Sequence, residues 1–322
     1  MKILCKALLV IMGLAASLGC AAQGFPGKPI RMIVPYPPGG TIDALARALQ
    51  TELGRAFGQP VIVENKPGAG GRIGIAEVAK APPDGHAIVF VFDSFPVDPI
   101  IYKDMPYDPW KDLLPVSIVA RVPVVAVARA SLPANDITEL VAFAKKNPGK
   151  LSYGSVGIGS SPHLVAELFS QNTGTAMLHI PYKGGANVQA DLYGDILDTF
   201  WGTAAFAKAA IASGRAKALG QAGARRGSAL PNVKTLAEQG FGSIEVYAWT
   251  GLMLPGGTPA PILTRWHAEL VKVGRLPAVA ARIDEQGWDL VLGTPEELKG
   301  HIQAEHLRWA QIIKAAKIPI QQ

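Results

Sequence analysis

The chain has 322 residues, about half of them apolar, with 31 basic against 25 acidic side chains and a formal charge of +6. That length can bury two sizeable cores, and the mild positive balance suits an anionic small molecule. The basic residues form no tract and are not interleaved with aromatics, which argues against a nucleic-acid surface.

Lys2 and Lys6, the apolar run "ALLVIMGLAASLG" and the small residues Cys20, Ala21 and Ala22 together read as a secretory signal over residues 1–22. The run is shorter than the roughly 18 residues a spanning helix needs. Cleavage after Ala22 predicts an exported, periplasmic protein, and loss of the two lysines lowers the formal charge to +4. Both cysteines, Cys5 and Cys20, go with this leader, which leaves no thiol, disulfide or cysteine metal ligand. Acylation of Cys20 is the alternative fate, disfavoured because Ser17 stands where lipoprotein signals usually have a larger aliphatic residue.

Strand and helix signals then alternate along the chain. "IRMIVPY" (30–36) predicts a strand before the helical pattern "IDALARALQTELGRAF" (42–57), and "VIVEN" (61–65) a strand before "RIGIAEVAKA" (72–81). "AIVFVF" (87–92) and "VSIVARVPVVAVA" (116–128) are strand-like, followed by the helical "ITELVAFAKKN" (137–147). The order continues through "LSYGS", "HLVAELFSQNTG", "MLHIPY", "ANVQADLYG", "ILDTFW", "AAFAKAAIASG" and "AKALGQ", which ends at 221. Such alternation predicts an α/β protein of parallel sheets with helices on both faces. The long apolar run 115–128 and "IEVYAWTGLMLP" at 244–255 are the two expected crossings between domains, giving 24–123 with 251–322 as one domain and 124–250 as the other. In the C-terminal segment, Thr294, Pro295 and Glu297 form a capping pattern that predicts a long amphipathic helix. Its His301 and His306 lie five residues apart on different faces, so with Trp309 they read as packing or solvated residues rather than a metal site.

Two loops carry the chemistry. In "PYPPGGTID" a strand ends at Tyr36, Pro37 and Pro38 stiffen the exit, and Gly39 and Gly40 let backbone approach a ligand before a helix that opens near Thr41. "GSVGIGSSPH" repeats the design, with Gly154, Gly157 and Gly159, hydroxyls at Ser155, Ser160 and Ser161, and a helix opening at Pro162. First-turn amides and the helix dipole favour an anion, so two such starts in two domains predict a clamp on a dicarboxylate or amino acid. A third strand-to-helix turn places Tyr182 and Lys183 beside it, while Asp198, Trp201 and Trp249 stand at strand ends that could reach the cleft. Asn65 and Gly70 are secondary cleft candidates. Enzyme signatures are missing: "GAGGRIG" has Ile73 where a dinucleotide fingerprint needs glycine, and there is no Walker loop, no G-x-S-x-G elbow and no H-E-x-x-H. His163 beside Ser160 and Ser161 is the one hydrolase-like juxtaposition, read as local packing. No catalytic residue, cofactor or metal is expected.

The serial motifs "PYPPGGTIDALAR", "VENKPGAGGRIGIAEVAKAPPDGH", "MPYDPWKDLLPVSIVARVP", "AFAKKNPGKLSYGSVGIGSSPHLVAELF", "IPYKGGANVQADLYGDILD", "RRGSALPNVKTLAEQGF" and "GLMLPGGTPAPIL" span nearly the whole mature chain. Together they resemble the Bug family of extracytoplasmic solute receptors, the TctC-like binding components of tripartite tricarboxylate transporters. The resemblance implies a Venus-flytrap protein of two α/β domains, a hinge and an interdomain cleft. It implies a monomer that captures a small carboxylate for transporter subunits, or for a sensor. It implies capture by backbone amides and hydroxyls of the two loops with ordered water rather than by an arginine; carried over by motif, the contacts fall on Tyr36, Gly39, Gly40, Thr41, Ser155, Gly159, Ser160 and Ser161, with Tyr182 and Lys183 as walls. Asp43 would meet a ligand amine or hydroxyl, or strengthen the helix cap. "FDSFPVDPIIY" (92–102) and Trp201 are bulkier than the family pattern. If Phe95 and Trp201 face the cleft, an aromatic or compact acid fits better than citrate.

Overall fold

A computed structural model of the chain describes residues 24–321 except 183 and 184. The predicted leader, Cys20 and Lys183 lie outside the described residues. Among the described residues no helix is long and apolar enough to cross a membrane.

Two sheets organise the chain. The first contains β1 (Ile30–Val34), β2 (Val61–Asn65), β3 (Ala87–Phe92), β4 (Leu113–Pro123), β10 (Tyr247–Pro255) and β11 (Asp289–Leu290), in the order β11-β4-β10-β3-β1-β2. The second contains β5 (Val125–Arg129), β6 (Ser152–Ser155), β7 (Leu178–Pro181), β8 (Thr199–Gly202) and β9 (Ala216–Gln221), in the order β7-β6-β8-β5-β9. Neither sheet is wholly parallel, contrary to expectation. β1 pairs in parallel with β2 and β3, and β6 with β7 and β8, but β10 runs antiparallel to β3 and β4, and β5 antiparallel to β8 and β9. β5 and β10 are the strands that enter from the other sheet, and the short edge strand β11 also runs antiparallel, to β4.

That crossing is tight. Only Val124 separates β4 from β5. Around it three backbone segments bond in a ring: Val124 N–H donates to Val246 O (3.2 Å), Ala222 N–H to Val124 O (2.7 Å), and Val246 N–H to Ala222 O (2.8 Å). Both return paths thus pass through one hydrogen-bonded knot.

Helices cover the sheets as the periodicity requires. α1 (Thr41–Phe57) buries Ile42, Leu45, Leu49, Leu53 and Phe57 at three- and four-residue spacing and ends at Gly58 in the left-handed conformation. α2 (Arg72–Ala79) and the short α3 (Asp98–Ile101) follow β2 and β3. In the second sheet α4 (Ile137–Lys146), α5 (Ser161–Thr173), α6 (Gly185–Tyr193) and α7 (Ala204–Ala212) connect the strands. α8 (Ala260–Gly274) packs Trp266 on Phe57 of α1, with ring centroids 4.6 Å apart, and α9 (Pro277–Glu285) follows it. α10 (Pro295–Ala315) buries Leu298, Ile302, Trp309 and Ile312 and lies against both β4 and α5, touching elements of both sheets. His306 Nδ1 meets Pro96 O at 2.9 Å and His301 packs edge-on to Trp249, so both histidines serve packing.

The capping box at the start of α10 is complete: Thr294 Oγ1 accepts from Glu297 N–H (3.1 Å), and Glu297 accepts from Thr294 N–H (2.7 Å). Thr294→Ala should cost about 1 kcal/mol, seen as a fall in Tm of about 2 °C for a chain of this size. An unchanged melting curve would show that tertiary packing alone holds this end of the helix.

Candidate functional site

A cavity of about 480 Å³ opens between the two sheets. It lies beyond the carboxyl ends of β1, β3 and β6, where open α/β sheets bind ligands. Tyr36, Phe92, Asp93 and Arg72 face it from the first sheet, and Val156 to Pro162 from the second. Where the two walls approach, Gly159 has φ +77°, and a Cβ there would stand 2.9 Å from the Ile101 side chain. Only glycine allows this contact.

Arg72 opens α2, directly after Gly71 at φ +101°. Its side chain is mostly buried, its guanidinium carbon lies 3.4 Å from the centre of the Tyr102 ring, and its Nη1 is 3.6 Å from Asp98 Oδ1. The ion pair is too long for a good hydrogen bond, and Asp98 Oδ2 has no partner. Burial pushes Asp98 up to about 7, against the pull of Arg72. Asp93, just past the end of β3, is 5% exposed, and neither carboxyl oxygen has a hydrogen-bond partner. Burial raises it to about 8; the Ser161 hydroxyl and Ser94 amide pull the other way without closing a bond of normal geometry.

The opposite wall is built on neutral hydrogen bonds. Ser155 Oγ donates to Gly157 O (3.0 Å), meets His179 Nε2 at 2.7 Å, and accepts from Gly157 N–H at 3.2 Å. His163 stacks on His179 with centroids 3.8 Å apart and accepts the Gly159 amide at Nδ1 (3.0 Å). Burial, then the His179 neighbour, lowers His163 to about 4, so it is neutral with its proton on Nε2. Its basic nitrogen is taken by Gly159 and is not free to activate Ser160 or Ser161. Ser160 is the N-cap of α5 and donates its hydroxyl to Gly157 O at 2.6 Å. The amides of Ser161 and His163 are first-turn donors, and Pro162 between them has none.

Of the residues singled out in the sequence, Tyr36, Gly70, Gly159, Ser160 and Ser161 line the cavity, whereas Gly39, Gly40 and Thr41 do not. Asp43 explains the difference. It is buried and accepts from Gly39 N–H (2.9 Å), Arg47 Nε (2.9 Å) and Asn65 Nδ2 (2.9 Å), so an internal carboxylate occupies the anion position of the first loop. Arg47 and the Gly39 amide hold it below the usual carboxylate range against its burial. Gly39, at φ +79°, is the glycine that the backbone demands; Gly40 is extended, with ordinary room for a Cβ. Ser155 lies behind the second loop and shapes it. Tyr182 donates to Asp191 (2.8 Å), and Asp198 binds Arg129 Nε (2.8 Å) and the Ser152 amide (2.8 Å), so both are committed to the scaffold. Phe95 is buried and stacked on Tyr107, and Trp249 is buried beside His301; neither lines the cavity. Trp201 is buried against Phe169 yet lines an adjoining, largely apolar chamber of about 210 Å³. Arg72, Asp93, Asp98 and Tyr102 were not singled out. Asp93 had a visible signal, since it is a carboxylate inside the apolar run "VFVFDSFPV".

With this geometry in place, known proteins supply the family. The model of the tripartite tricarboxylate transporter family receptor, TctC, matches residues 45–318. BugT of Bordetella pertussis is 35% identical over 95% of this chain and 96% of its own. A Rhodopseudomonas palustris protein, Rpa4515, solved with adipate, superposes with a TM-score of 0.82 at 30% identity, over 92% of this chain and 99% of its own. MatC from the same organism, with bound malate, gives 0.77 at 28% identity, over 90% of this chain and all of its own. The chain belongs to the tripartite tricarboxylate transporter receptor family.

The buried acids set a pH dependence. Their folded pKa values are raised, so the folded state holds more protons than the unfolded chain. Their contribution is fully present below about pH 4 and is lost as pH rises through about 7 for Asp98 and about 8 for Asp93. The unliganded protein should therefore lose stability from these groups between about pH 5 and pH 8. Asp93→Asn and Asp98→Asn should each reduce the difference in Tm between those pH values; an unaltered difference would show that neither carboxyl is buried as described.

Proposed function

We propose that this receptor is a periplasmic, non-catalytic, monomeric binding protein that closes over a small organic acid and delivers it to the membrane subunits of a tripartite tricarboxylate-type transporter. One observation carries the reading: Arg72 and the amino end of α5 line the same interlobe cavity from opposite sheets. A guanidinium and first-turn helix amides are both suited to a carboxylate, and only a ligand placed between them would draw the two walls together. The relatives solved with adipate and malate support an acid of that size.

The moving bodies are residues 24–123 with the C-terminal segment, and residues 124 onward through the second sheet. In this reading the chain would return to the first body near Val246, just before β10, a few residues ahead of the boundary at 250 expected from the sequence. Rotation would occur about the Val124–Ala222–Val246 ring, with α10 following both bodies and limiting the opening. His163 is neutral and burial lowers its neighbour His179 as well, so the anion would be held by Arg72, amides and hydroxyls rather than by an imidazolium.

A thermal-shift screen of the ligand-stripped protein against mono-, di- and tricarboxylates, with neutral and cationic controls, tests the function. An acid at about a hundred times its Kd should add about 2.7 kcal/mol, which raises Tm by several degrees. Shifts confined to the neutral or cationic controls would overturn the reading. Arg72→Ala should weaken the best acid by about tenfold or more, the size of a lost charge-assisted hydrogen bond. Unchanged affinity in that variant would remove Arg72 from the site.

A further inference from the structure

Asp93 is the unresolved group in the cavity. The fold partners the acids it uses as scaffold: buried Asp43 has Gly39, Arg47 and Asn65, and half-buried Asp198 has Arg129 and Ser152. Asp93 is about as buried as Asp43, 5% exposed, but has both oxygens unpartnered, and it lines both the main cavity and the apolar side chamber. A buried carboxyl without a partner is costly, so its persistence at a cavity wall points to a partner that arrives with the ligand.

Charge narrows what that partner is. Arg72 already faces Asp98 at 3.6 Å, and Glu305 on α10 stands near Asp93. A plain dicarboxylate would bring two more negative groups to a region where Asp93, Asp98 and Glu305 already stand against one guanidinium, whereas a cationic nitrogen beside Asp93 offsets them. Burial raises the affinity of Asp93 for a proton, to about 8, and a cationic nitrogen placed beside it would displace that proton. Shape adds a third constraint. The side chamber of about 210 Å³ meets the main cavity at Asp93 and Ser161 and is walled by Phe92, Val156, Phe200, Trp201 and Phe206. It suits a hydrocarbon group and offers little to a second carboxylate.

We infer that the acid taken by this chain also bears a protonated amine and an apolar substituent, as an apolar amino acid does. The amine pairs with Asp93, the carboxylate lies between Arg72 and the amino end of α5, and the apolar group enters the chamber beside Trp201. This assignment rests on the acid-receptor reading of the same cavity.

Matched probes separate the two. Calorimetric titration at pH 7 would compare L-leucine with 4-methylpentanoate and L-phenylalanine with 3-phenylpropionate, each pair differing only by the amine, with adipate as the dicarboxylate control. In at least one pair the amino acid should bind about tenfold or more tightly than its partner. Asp93→Asn should abolish that preference while leaving the amine-free acid within a few fold. If the amine-free acids match or exceed their partners, or adipate exceeds all four, the inference is overturned and the acid-receptor reading stands. If no acid binds at all, both fall. The wild-type pairs decide the matter even if the variant fails to fold.

Discussion

The structure depends on a single backbone junction. β4 and β5 belong to different sheets yet are separated by Val124 alone, and Val124, Ala222 and Val246 are joined to one another by three hydrogen bonds. Because each of these segments supplies donors and acceptors to the others, none can swing independently without leaving a backbone group unpaired. The junction fixes where the sheets diverge, and hence where a cavity opens between their carboxyl ends. It also accounts for β5 and β10: strands that enter from the neighbouring sheet arrive against the direction of the local β-α-β units.

At the cavity, the distribution of satisfied and unsatisfied polar groups distinguishes scaffold from site. The first loop is closed by its own Asp43, and the second is shaped by Ser155, His179 and the Gly159 amide on His163. These contacts use up groups that otherwise look available to a ligand. What remains facing the space between the sheets is the Arg72 guanidinium, the amino end of α5 at Ser161, and the Asp93 carboxyl. Burial makes each of these more consequential, since an unpaired charge in a low-dielectric wall gains most from a matching group.

Much of the architecture was legible in the sequence because it is written in periodicity. The alternation of short β-branched runs with three-to-four-residue apolar spacing located the helices and strands, and Thr294 to Glu297 marked the start of α10. The long apolar run at 115–128 resolved into β4 and β5, a strand pair no periodicity could divide. Pairing direction was not legible, since β10 looks the same whether it runs parallel or antiparallel. At the site, glycine- and serine-rich loops identified the two strand-to-helix turns but not which faced the cavity. That was decided by Asp43, a residue whose buried role depends on Arg47 and Asn65 folding back onto it. Arg72 and Asp93 were missed for a related reason. Their importance comes from burial and direction, which emerge only when two distant walls are assembled, and Phe95 turns inward onto Tyr107 for want of any local signal.

The most direct measurement is a crystal structure of the protein with an acid that raises its Tm. The ligand carboxylate should lie between the sheets, within hydrogen-bonding reach of the Arg72 guanidinium and the first-turn amides of α5, with Gly159 still against Ile101. A carboxylate held instead on the exposed Gly39–Gly40 loop, with Asp43 displaced and the Arg72 wall empty, would contradict the clamp described here.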